Sequence, residues 1–313
     1  MKKILSLDGG GIRGIIPATI LAYIEERTGK NIARIFDLIA GTSSGGVLAM
    51  ALCKSDSKKK PVYSARSLID LYEKRGGEIF SRTLWKEFSS VAGIIDQRYS
   101  HEPIEKVFKH YFGKTRLSDS LTKVLVSTYD IENRKPCIFK SWKSDTGGIL
   151  MKDAARATSA APTYFAPAVV KLGKERLALI DGGVYLNNPS MSAYSEAKKL
   201  FPRAKSTLLV SIGSGALCRP IPYDDAKDWG LINWARPILS IISDGVNGAV
   251  AYQLKQNLGK NFIRLQTPLE NASDEIDDTS EKNIEGLKQG AQRLLADRKA
   301  DLNRICDLLV KRA

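Results

Sequence analysis

The chain has 313 residues, 43% of them hydrophobic and 26% charged, a balance that argues against disorder and allows one large α/β domain. Its formal net charge of +14 favours an anionic partner, a nucleic acid, a nucleotide or an acidic membrane surface, although a solvated basic face is the plainer alternative. Cys53, Cys137, Cys218 and Cys306 form no Cys-x-x-Cys pair and the only histidines are His101 and His110, so no metal, no cofactor and no disulfide framework is expected, and the thiols suit a reduced, cytoplasmic setting.

Lys2 and Lys3 precede an apolar run too short for a secretory leader; residues 3–7, KILSL, predict a strand closed by Asp8 and three glycines. A helix follows from Pro17, with Ile16, Ile20, Leu21 and Ile24 on one face and Gly29 as its stop. Residues 36–41, FDLIAG, predict a second buried strand, and 45–53 a helix apolar nearly all round. This succession points to a mostly parallel sheet covered on both faces.

Residues 54–122 read as mostly helical and polar, opening with a basic surface loop at 54–61 and carrying Trp85, Tyr99 and Tyr111. Further strands are predicted at 123–131, 177–181 and 207–215, the last ending in small residues as strands do beside a ligand crevice. The remainder turns helical, with Ile284, Leu287, Leu294, Leu295, Leu302, Ile305 and Leu308 in an amphipathic pattern. The stretch 231–254 has the least charge, but Arg236, Pro237 and Asp244 make it a poor membrane span. Together with Trp229 and Trp234 it suits a lid or interfacial edge, a core helix being the plainer alternative. One domain is expected over 1–313, with an α/β core at 3–215 and a helical extension at 216–313. No basic helix is interleaved with aromatics, so no nucleic-acid polymer is expected.

Residues 41–45, Gly-Thr-Ser-Ser-Gly, fit Gly-x-Ser-x-Gly between strand and helix. Such a joint lifts the central Ser43 above the sheet, with Gly41 and Gly45 leaving room for neighbouring chain, and aims the positive end of an apolar helix at it. Ser44 lacks the symmetric spacing. No histidine follows residue 110, and His101 and His110 suit an exposed helix face, which argues against a Ser-His-Asp triad. The best remaining base is Asp181, ending an apolar strand before Gly182 and Gly183; a turn aspartate capping the two glycines is the alternative.

Residues 8–14, DGGGIRG, also match Gly-x-Gly-x-x-Gly, but the second strand ends in no ribose-binding acid and Asp8 would repel a pyrophosphate. A Walker loop is absent as well. The better use of Gly9, Gly10 and Gly11 is to turn several amides toward one point, an oxyanion hole beside Ser43 if the first two strands are neighbours. Arg13 would brace that loop or meet a phosphate.

DGGGIRG, GTSSG and DGG, in this order on these elements, together with ATSAAPTYFAP at 157–167, resemble the patatin-like phospholipases over roughly residues 3–215. The resemblance implies a three-layer α/β/α fold and a Ser-Asp dyad, with Ser43 as nucleophile, Asp181 as proton acceptor, and Gly9, Gly10 and Gly11 beside Arg13 as the oxyanion loop. The implied activity is hydrolysis of fatty-acyl esters of membrane phospholipids through an acyl-enzyme, by a cytoplasmic protein in peripheral contact with an anionic membrane. Two alternatives stay open: an effector gated by a nucleotide activator, such as the cyclic-nucleotide-switched defence proteins of bacteria, and an acyltransferase on the same fold.

Overall fold

The computed structural model describes residues 1–80, 98–217, 219–235 and 237–311; Trp85, Cys218 and Arg236 lie outside them. Strands β1 (Lys2–Leu7), β2 (Leu38–Thr42), β3 (Lys123–Asp130), β4 (Lys135–Lys140), β5 (Ala168–Leu172), β6 (Glu175–Asp181), β7 (Thr207–Ile212) and β8 (Phe262–Leu265) form one sheet in the order β5-β6-β3-β2-β1-β7-β8, with β4 also on β3. Its centre is parallel, β1 pairing with β2 and β7, β2 with β3, and β7 with β8. The β4, β5 and β6 pairings are antiparallel.

The central strands are buried at nearly every position because both faces are covered. Alternate side chains feed two cores: Leu5, Ile39, Val124, Val126, Leu208 and Val210 enter one, while Ile4, Leu38, Ala40, Leu125 and Leu209 enter the other. The first core is roofed by α1 (Ile15–Thr28), α2 (Ser44–Cys53), α3 (Ala65–Ile79), α4 (His101–Phe112) and α5 (Met151–Thr158). After the short α6 (Gly183–Leu186), the second core is covered by α7 (Ser190–Leu200). The chain continues through α8 (Leu231–Ala235) and α9 (Pro237–Leu258), then β8, and ends in α10 (Glu281–Asp297) and α11 (Lys299–Val310), which pack on α1.

Helix α1 stops where expected, at Gly29 in the left-handed region with φ 66°. Helix α2 is buried along its whole length, so its continuous apolar sequence needs no polar face. Three strands, β4, β5 and β8, are not predicted from the sequence. They are short; β4 and β5 are edge elements with polar residues, and β8 has only the four residues FIRL. Within 54–122, α3 and α4 bear out the helical reading, and 81–97 lie outside the described residues.

Candidate active site

The register of β3 explains why two distant motifs meet. One edge of β3 is occupied by β4 from Leu125 to Asp130. The opposite edge is shared end to end: β2 pairs as far as Thr42 with Ser127, and β6, arriving from the other direction, pairs from Asp181 with Thr128. The chain leaves β2 at Ser43 just where β6 delivers Asp181.

Ser43 sits at φ 52° and ψ −129°, a strained conformation for a residue with a β-carbon, and caps α2, whose positive end faces it. Its amide donates to Thr158 Oγ1 at 2.9 Å, and that hydroxyl donates to the Ser127 carbonyl at 2.7 Å. Thr42 Oγ1 lies 2.6 Å from Ser127 Oγ and donates to the Leu186 carbonyl at 2.7 Å. Ser127 and Thr158 thus lock the turn, and the sequence pattern pointed to neither as a support. A β-carbon on Gly45 would stand 2.5 Å from the Leu7 carbonyl and 2.6 Å from that of Asp8, so α2 can approach β1 only with glycine there. Ser44 is buried and its carbonyl accepts from Tyr72 Oη at 3.0 Å, whereas Ser43 is half-exposed.

The Ser43 side chain stands beside the Asp181 carboxyl, close enough to favour its ionised form. Asp181 is 5% exposed, and its Oδ1 accepts from the Gly183 amide at 2.7 Å. Burial pushes this carboxyl up to about 6, against the neighbouring Ser43 hydroxyl and the Gly183 amide, which favour the ionised form. A carboxylate raised in this way is a better base for an alcohol than a solvated aspartate.

The glycine loop lies beside the serine because β1 and β2 are neighbours, Leu7 opposite Gly41. A β-carbon on Gly9 would fall 3.1 Å from Ser43 Cβ and 2.6 Å from Asn187 Oδ1. The Gly9 amide is turned to the Asn187 carbonyl at 3.2 Å, so of the three amides expected to fan toward an oxyanion, those of Gly10 and Gly11 are left. Arg13 braces the loop: its Nε and its amide donate to the Gly10 carbonyl at 3.2 and 3.1 Å. Ser214 Oγ donates to the Gly9 carbonyl at 2.6 Å, and the Ile12 amide to the Ile276 carbonyl at 2.9 Å.

Beneath the loop, buried Asp8 receives a bidentate pair from Arg264 on β8 at 2.9 and 2.5 Å, and the same guanidinium donates to Ser211 Oγ at 2.8 Å. Burial raises the Asp8 carboxyl, and Arg264 offsets this only in part. Arg264 and Ile276 come from beyond residue 215, in a stretch with no motif, so no sequence signal ties them to the loop. His101 and His110 are exposed on α4. Among the described residues, no group of three or more His, Cys, Asp or Glu side chains converges as a metal site would require.

A family model for "Patatin-like phospholipase" matches residues 5–194. The chain belongs to the patatin-like phospholipase family. Among curated relatives, patatin-like protein 2 of Oryza sativa is 33% identical over 94% of this chain and 84% of its own length, and patatin-like protein 3 of Arabidopsis thaliana is 31% identical over 97% and 82%. Among solved structures, human GIVD cytosolic phospholipase A2 is a distant likeness, with TM-score 0.49 and 10% identity over 99% of this chain and 60% of that one. Membership in the patatin-like phospholipases makes lipid acyl hydrolysis the activity class and lipid esters the substrate class of this chain. No helix among the described residues of this family member is long and apolar enough to cross a membrane.

Proposed function

We propose that this patatin-like protein hydrolyses fatty-acyl carboxylic esters of membrane phospholipids through a Ser43–Asp181 dyad, working in peripheral contact with the bilayer. The observation that carries the reading is the register on β3 that sets Ser43, on its strained turn, beside the buried Asp181 carboxyl. Ser43 Oγ attacks the ester carbonyl and forms the acyl bond as Asp181 takes its proton. The oxyanion is held by the amides of Gly10 and Gly11, aided by the positive end of α2. Collapse breaks the bond to the alcohol, which leaves with the proton from Asp181. Asp181 then takes a proton from water, whose oxygen attacks the acyl carbon, and returns that proton to Ser43 Oγ as the ester bond to the serine breaks and the fatty acid leaves.

A fluorophosphonate probe followed by peptide mass spectrometry tests this scheme. The label is expected on Ser43, and Ser43→Ala should lose labelling together with about 10³-fold or more of phospholipid hydrolysis. Label on another serine, or full hydrolysis by Ser43→Ala, would end the reading. The same assay without added nucleotide distinguishes a constitutive hydrolase from the nucleotide-gated alternative, and an added long-chain alcohol reports transfer in place of hydrolysis.

A further inference from the structure

The segment from α8 through α9 is composed like a core element yet is not covered like one. From Pro237 to Leu254 the only charge is Asp244. The second half of α9 is anchored, with Val250 and Leu254 buried against the core under α7. The first half is not: Ile238, Ile241 and Ile242 are exposed, and a β-carbon added at Gly245 or Gly248 would meet open space. Leu231 on α8 is 92% exposed and Tyr223 78%. Trp229 and Trp234, from the same stretch, stand edge to face, ring centroids 5.1 Å apart and half-buried. Contiguous exposure of this kind marks an interaction surface.

Its position narrows the occupant. Helix α9 packs on α6, the turn that follows Asp181 at once and exposes Val184. Asp244, at the free end of α9, lies within electrostatic reach of Arg13 on the glycine loop. The apolar face therefore borders the mouth of the serine site. A phospholipid ester must leave a bilayer to reach Ser43, and the shortest exit is into a mouth already seated against the lipid. Charges between 219 and 260 nearly cancel, four aspartates against five cations, so this face would be held by apolar insertion and aromatic anchoring rather than by charge.

We propose that α8, the first half of α9 and Tyr223 form the bilayer-docking surface of the protein, seating in the interfacial zone and setting the mouth of the serine site against the lipid. The inference rests on the acyl-hydrolase reading for its choice of bilayer over a second copy of the chain.

The test uses full-length Ser43→Ala protein, so that binding is read without turnover, with phosphatidylcholine vesicles at high salt. Flotation should recover the protein with the vesicles, and Ile238→Ser/Ile241→Ser/Ile242→Ser should weaken partitioning by about tenfold or more. Lipids brominated near the headgroup should quench tryptophan fluorescence, and Trp229→Phe/Trp234→Phe should remove that quenching. Quenching is read without the isoleucine changes, so it decides the matter even if the triple variant fails to fold. An unchanged partition with a native melting curve, no quenching, or a dimer in sedimentation that the triple variant dissociates would overturn the proposal. Vesicle binding as described by a protein whose Ser43 form cleaves no ester would leave the docking surface standing and end the hydrolase reading; ester cleavage without docking would do the reverse.

Discussion

Asp181 combines burial with a neighbouring alcohol, and the two pull in opposite directions. Water is excluded, so the charged form is disfavoured, while Ser43 and the Gly183 amide favour it. The proposed base works ionised, so kcat/KM should fall tenfold per pH unit below about 6 and level off above it; a profile measured with a monomeric ester checks this. Asp181→Asn should abolish that acid limb together with most of the rate. The native carboxyl holds its proton to higher pH than the unfolded one, so ionisation costs stability as pH rises between the two values. Moving from 3.8 to about 6 corresponds to about 3 kcal/mol at neutral pH. Asp181→Asn should therefore melt higher than the native protein at pH 7, and by less at pH 4; an equal melting point at both would show that burial does not strain this group.

At the scale of elements, the glycine loop depends on β8. Asp8 is buried under the loop, and its partner Arg264 reaches it only because β8 extends the sheet beside β7. Removing one member of a buried ion pair leaves the other charge without compensation. Arg264→Met should thus cost about 3–5 kcal/mol in denaturant unfolding, and adding Asp8→Asn should recover a large part of it. Additive losses in the double variant would show that the pair is not coupled. The other supports of the site are likewise element ends: Ser127 in β3, Thr158 closing α5, and Asn187 after α6. Thr158 lies in a stretch already notable in the sequence, but its use as an acceptor for the Ser43 amide follows from where α5 ends, which no local pattern states.

For the whole molecule, we infer that the chain folds as one cooperative unit, its last hundred residues included. Leu287, Leu294, Leu302 and Ile305 are buried in the same core as Ile15, Ile20 and Leu21 of α1, and β8 covers the edge of β7. Scanning calorimetry should give a single transition with equal calorimetric and van't Hoff enthalpies, and a chain ended at residue 215 should fail to fold; two separable transitions would contradict this.

The parts legible in the sequence are those whose physics is local. A glycine run after an apolar strand, a small-residue turn ahead of an apolar helix, and an acid before two glycines each report a backbone geometry needing those residue types, which is why Ser43, Asp181 and the loop at 9–11 stand out as candidates from the sequence. Tertiary structure alone decided how they meet: β2 and β6 share one edge of β3 head to head, a matter of strand register between segments over a hundred residues apart. It alone turned the Gly9 amide away to Asn187, brought Arg264 under Asp8, and left the nearly uncharged first half of α9 uncovered. Local sequence sets the conformation a residue can hold, whereas its partners depend on how the rest of the chain packs around it.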